Sequence, residues 1–315
     1  MNVQSSFSSP RVKGLGLALI ATTFWATTGV IMSYLLTHYS LEPLTLAFWR
    51  DLMVGSALLI GLRLWQPRAL KISRGDALFF VLYGFVGLAV FNGLWSFSVK
   101  YNGAAVATVL AYSSPAFIVL LARPILKEPF TISKLTAVAL SLTGCVFVVR
   151  AYQPEMWQVN PLGIGAGLGT GFAFAVYSLL GKWSARRFPN PWTVTAYGFT
   201  FAAAGLLFTQ RPHTILSLGV AWDGWLILLG LALIPTILGF GLYTVSLRYL
   251  PATAAGLVAS LEPVLTALMA IVFLNEMLDS KQWFGAGLVL VAVVLAQTNS
   301  GKQKAEAEAQ PVFES

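Results

Sequence analysis

Charge is scarce in this chain. Only 10% of its 315 residues are Asp, Glu, Lys or Arg, against about 25% in an ordinary soluble domain. With 57% hydrophobic residues, too few ionised groups remain to cover a soluble enzyme of this size. Cysteine occurs once, at Cys145, so no intramolecular disulfide can form, and within its apolar run the residue reads as packing. The only histidines are His38 and His213, both in expected loops. There is no HExxH, no acidic metal cluster and no GxSxG, which leaves an intramembrane hydrolase or transferase little to work with. Neither a cofactor nor a metal is expected, and the chain reads as no enzyme. Nor is a nucleotide motor visible. No GK[ST] element occurs, and the glycines at 163–171 fail the GxGxxG pattern because Leu168, Thr170 and Phe172 occupy the decisive places.

Long apolar runs are abundant. They fall at about 12–37, 42–65, 76–99, 103–122, 131–150, 160–182, 192–209, 222–247, 252–273 and 281–298. A bilayer core of about 30 Å needs roughly 20 helical residues, so these predict an all-α integral membrane protein of ten transmembrane helices. The weakest division lies between the third and fourth runs, where only Lys100, Tyr101 and Asn102 intervene. The first ten residues are polar and the next run is too long for a signal-peptide core, so it is expected to stay as the first membrane helix. The net charge of +8 reads as a topology signal, with no nucleic-acid partner. With the N-terminus cytoplasmic, fifteen Lys and Arg fall on inner segments and four on outer ones, leaving Arg50 inside a helix. That asymmetry fits ten crossings with both termini inside, in the cell inner (plasma) membrane.

The chain repeats itself. A shift of 148 residues lays 101–128 over 249–276, matching Tyr101 with Tyr249, Pro115 with Pro263 and Glu128 with Glu276. The same shift lays Pro43 and Thr45 over Pro191 and Thr193. Two homologous five-helix units result, and because five is odd the second enters from the opposite side. The expected organisation is a cytoplasmic tail at 1–11, a first repeat at 12–150, an outer linker at 151–159, a second repeat at 160–298 and a disordered cytoplasmic tail at 299–315. Two inverted copies can exchange conformations, which converts an inward-open cavity into an outward-open one. The substrate site is then expected near midplane, between the halves.

The stretch PLTLAFWRD (43–51) and the block LRYLPATAAGLVASLEPVLTALMAIVFLNEMLDSKQWFGAGLVLVAVVL (247–295) resemble the EamA family of the drug/metabolite transporter superfamily. The resemblance covers nearly all of 12–298. It implies export or exchange of small metabolites, often amino acids or related compounds, without naming one.

Ionisable groups at membrane depth are costly and so invite a role. Arg50, Asp51 and Glu262 qualify. Glu262 precedes Pro263, and Ser114 precedes Pro115 in the equivalent place. Each proline removes a backbone donor, so the fourth and ninth helices are expected to kink there and line the pathway. Glu262 can line that pathway, couple protons, or bond a neighbouring helix. Arg50 can hold a substrate carboxylate, or serve as a clamp with Glu262 or Asp51. As neighbours on a helix, Arg50 and Asp51 diverge by about 100°. Aromatic residues at depth form a second set suited to apolar or aromatic solutes: Trp25, Tyr83, Trp95, Tyr112, Tyr177, Tyr197 and Tyr243. Asn92, Ser246 and Ser260 are weaker polar candidates. The four-residue spacing of Gly163, Gly167, Gly171 and Ala175 suits close helix packing or a sliding surface. The fifth and tenth helices, poor in polar groups, are expected to be peripheral supports. The predicted function is alternating-access export of a small amphipathic metabolite, with a channel, a lipid-linked-carrier flippase or a scaffold as the other readings. Expected partners are the solute and the bilayer, with a homodimer left open.

Overall fold

The structure is a computed structural model that describes the backbone of residues 10–157, 160–212, 214–274 and 277–309. Gln158, Val159, His213, Asn275 and Glu276, the first nine residues and the last six lie outside the described residues. Among the described residues every regular element is helical. Eight runs are long and apolar enough to cross a membrane. They are α1 (Pro10–His38), α2 (Pro43–Trp65), α3 (Gly75–Asn102), α4 (Val106–Leu126), α6 (Pro161–Arg187), α8 (Trp222–Ser246), α9 (Ala252–Met269) and α10 (Ser280–Gln297). Two 17-residue helices complete ten: α5 (Ile132–Val148) and α7 (Pro191–Leu207). Seventeen residues is the short end of what spans a bilayer. The helix that begins α10 continues to Ala309, where the sequence reading leaves a tail without structure. KQKAEAEA is rich in strong helix formers, and extending a helix already nucleated in the membrane avoids the nucleation cost.

Helical backbone extends over Phe91–Ala111, across the α3–α4 division. The packing shows that the chain nevertheless reverses there. Ser98 and Leu110 both crowd Gly167, although a straight helix would separate them by about 18 Å. Helix starts are built from local chemistry. Asn160 and Asn190 accept from the N–H groups of Leu162 and Trp192, each at 2.9 Å, ahead of Pro161 and Pro191. Those are the cap and first-turn residues a helix N-terminus favours.

The 148-residue repeat reappears in the backbone defects. α3 carries a π-helical stretch at Phe85–Val90 and α8 one at Ala232–Thr236. α4 breaks at Tyr112–Ser113 and α9 breaks at Ser260–Leu261, the same places under the shift. Each unit's first helix packs on the other's third: α1 on α8, and α6 on α3. Along α6, Gly163 meets Tyr101 and Asn102, and Gly171 meets the α4 break at Ala111–Ser114. α5 lies against α10, where Gly144 and Gly285 face each other's carbonyls. The fold is therefore two inverted five-helix repeats. Arg11 at the start of α1 and Gln297 at the end of α10 meet on one face, the terminal face, and the described connections, linked by Tyr39 with Asp223, Trp49 with Ile215 and Tyr152 with Asp279, lie on the far face.

Candidate functional site

A cavity of about 480 Å³ lies between the repeats. Of the residues singled out from sequence, Trp25, Arg50, Trp95, Tyr112, Ser114, Glu262 and Pro263 line it, with Asn92 beside them. It reaches the far face at Val148, Val149, Leu278 and Gln282. Its deep wall is made by the two broken helices. Ala111, Tyr112 and Ser114 come from the α4 break, and Ala259, Glu262 and Pro263 from the α9 break. Pro115 and Pro263 have no N–H for the carbonyls of Ala111 and Ala259 four residues back, so the regular ladder cannot continue past either site. The Tyr112 phenol and the Glu262 carboxyl are neighbours, joining the two breaks.

The Arg50 side chain that also lines the cavity belongs to a network. Arg50 donates to Asp51 Oδ1 from Nε at 3.0 Å and from Nη2 at 2.9 Å, and Nη2 also donates to Asn92 Oδ1 at 2.9 Å. Asn92 Nδ2 returns a bond to Asp51 Oδ2 at 3.0 Å. The sequence argument from helical divergence holds for the Cβ directions, but the long Arg50 side chain curls back onto its neighbour. Asp51 is fully buried and Arg50 nearly so, so pairing offsets the cost of ions at this depth.

Several expected lining residues lie elsewhere. Tyr83, Tyr177 and Tyr243 are packed together on the terminal side of the cavity. Ring centroids are 5.1 Å apart for Tyr83 and Tyr177 and 6.1 Å for Tyr177 and Tyr243. Ser178 Oγ and the Tyr243 hydroxyl lie 2.9 Å apart, and the Tyr177 hydroxyl is 3.1 Å from Thr244 Oγ1. These aromatics form a closed plug. Tyr197 donates to the Leu70 carbonyl at 2.8 Å, in the α2–α3 connection. Ser260 turns inward to the Leu257 carbonyl at 2.8 Å, and Pro115 is buried outside the lining. The reason is common to all: sequence gives depth along a helix, but a helix apolar all round does not reveal which side faces the cavity. Thr28, Met32, Phe91, Phe174, Phe240 and Thr266 line the cavity without having been singled out. Thr28 and Met32 follow Trp25 at helical spacing, as do Phe91 and Trp95 on α3, so face periodicity around one candidate could have found them.

The terminal face is shut beneath the plug. Lys182 Nζ donates to the carbonyls of Leu247 and Leu250, each at 2.7 Å, and Arg187 pairs with Asp76 at 2.6 Å. Among the described residues the cavity therefore opens toward the far face in this conformation.

Two inverted repeats, paired helix breaks and one central cavity define the transporter class. The chain matches the EamA-like transporter family over residues 12–150 and 161–298, and it belongs to that family. Among similar proteins, an uncharacterized transporter, YwfM, of Bacillus subtilis (strain 168) is 31% identical over 291 residues, covering 91% of this chain and 94% of its own. The inner membrane transporter YicL of Salmonella typhimurium, also uncharacterized, is 26% identical over 298 residues, covering 92% and 97%. The threonine/homoserine exporter RhtA of Escherichia coli (strain K12) is 28% identical over 246 residues, covering 76% and 77%. A solved crystal structure superposes with a TM-score of 0.77 at 18% identity over 93% of this chain and 99% of its own, a likeness of fold. The chain is thus a multi-pass membrane transporter of a small molecule.

Proposed function

We propose that the protein is a secondary transporter that exports or exchanges an amino acid or related amphipathic solute by alternating access. One observation carries the reading: a cavity at the junction of the two broken helices is lined by both Arg50 and Glu262. A zwitterion has the complementary charges, and Trp25, Phe91 and Phe174 give apolar area for its side chain. RhtA's named substrates, threonine and homoserine, are of this class. The Lys and Arg asymmetry supports a cytoplasmic terminal face, and on that reading this conformation is open to the outside. The membrane helices and broken-helix pocket also suit a lipid-linked-carrier flippase, but the inward-facing charges at Arg50 and Glu262 favour a polar solute. The test is counterflow in proteoliposomes with a panel of labelled amino acids and metabolites. The reading expects saturable exchange of at least one amphipathic solute. Absence of exchange for every solute, in protein shown to be folded, overturns it, and flux without counterflow indicates a channel.

A further inference from the structure

Arg50 is only partly committed. A guanidinium carries five N–H donors. Nε and Nη2 serve Asp51 and Asn92, while the only hydrogen-bond partner of Nη1 among the described residues is the Met32 sulfur at 3.8 Å. Thioether sulfur is a weak acceptor. Arg50 and Met32 both line the cavity, so the uncommitted nitrogen is on the cavity side of the network. Asp51, with no exposed surface, is held behind the guanidinium and away from any solute. Asn92 closes the ring by bonding both charges. A third partner of this kind satisfies the remaining polar atoms of a buried ion pair, and it also holds the guanidinium in one orientation. An anion-binding arm gains from this fixing, because a free arginine side chain must lose rotamer freedom on binding, and pre-fixing it lowers that cost.

We propose that Arg50 Nη1 binds the carboxylate of the transported solute, and that Asn92 and Asp51 are positioning residues that fix the guanidinium for it. The inference rests on the transport reading and narrows it: the solute must carry an anionic group, and the α-carboxyl of an amino acid is the simplest. A neutral amide in its place can still fill the cavity but forfeits the charge-assisted bond, which is about twice as strong as a neutral one.

The test uses the full-length protein in proteoliposomes with L-threonine, L-phenylalanine and L-glutamine, each paired with its α-carboxamide. In the wild type the carboxamide is expected to compete at least about tenfold more weakly than the acid, the scale of one charge-assisted bond. Arg50→Gln is expected to bring acid and amide within about twofold of each other by removing that bond. Asn92→Ala keeps the Arg50–Asp51 pair, so it is expected to raise the half-saturating acid concentration severalfold while the maximal exchange rate stays near wild type. Equal exchange of acid and amide by the wild type overturns this inference alone. Arg50→Gln lowering acid and amide exchange by the same factor, with a fall in melting temperature, also overturns it and leaves Arg50 as a structural clamp. No exchange of any solute by folded wild type sinks the transport reading itself.

Discussion

The Glu128 carboxylate, at the end of the first repeat's α4, accepts from the Thr253 hydroxyl at 2.8 Å in the second repeat's α9. Its other oxygen accepts from the Ala252 backbone N–H, also at 2.8 Å, and Lys134 Nζ lies 3.5 Å away. A carboxylate at a helix N-terminus satisfies orphan donors and complements the helix dipole. Here it does so across the two repeats, on the face that is shut. The inverted repeat gives this latch a mirror image. Under the 148-residue shift Glu128 corresponds in sequence to Glu276, and Ala252 to Ala104, two residues before α4. On the alternating-access reading proposed above, exchange of the two units' conformations would bring the second pair together as the first latch is released.

Substitution at the α5–α10 crossing tests whether that pair is a rigid support. A Cβ on Gly144 would collide with the Gly285 carbonyl and Val289, whereas one on Gly287 would meet nothing within 4 Å. Gly144→Leu is expected to cost about 1–3 kcal/mol or more through overpacking, read as a lower melting temperature in detergent. Gly287→Leu, at an open position, is the control and should leave the melting temperature near wild type.

The start of α10 should be acid-sensitive. Asp279 Oδ1 accepts from the Gln282 N–H at 2.8 Å, and Gln282 Oε1 accepts from the Asp279 N–H at 3.1 Å, a reciprocal cap. The Gln282 amide bond, with help from Arg150 and Tyr152, holds the Asp279 carboxyl below its ordinary range. A depressed carboxyl contributes stability that is present above its unfolded pKa of about 4 and is lost as pH falls through the folded value. Melting temperature measured from pH 7 down to pH 3 should fall more steeply for the wild type than for Asp279→Asn. Parallel curves would remove the cap from the account.

Cys145 is fully buried, with its sulfur 3.8 Å from the Ser260 carbonyl at the α9 break. It should resist a membrane-impermeant maleimide in the folded protein and react on denaturation, as mass spectrometry would show. Rapid labelling of the native state would mean that the α5–α9 contact opens to water.

The parts legible in the sequence were those that lipid or covalent geometry dictates. Ten apolar runs, the shift relating Pro115 to Pro263, and the depth of Arg50 and Glu262 follow from bilayer thickness, a missing N–H and the cost of buried charge. The π-helical stretch at Phe85–Val90 was not legible, because no proline marks it as Pro235 marks its counterpart. Tyr83, Tyr177 and Tyr243 were placed at the right depth, but nothing in an all-apolar helix distinguishes a plug from a lining. The Arg50–Asp51–Asn92 ring depends on side-chain curl and on the approach of α3 to α2, which residue spacing along one chain does not encode.

Alternation of the two latches is the central claim, and spin-label distances in reconstituted protein test it most directly. One label pair, at Lys13 and Lys127, spans the terminal face. The other, at Leu162 and Met277, spans the far face. Relative to wild type, Glu128→Gln should lengthen the first distance and shorten the second, while Glu276→Gln should increase the population seen here, with the terminal face shut. Both distances unchanged in both variants, or both moving the same way, would contradict the account.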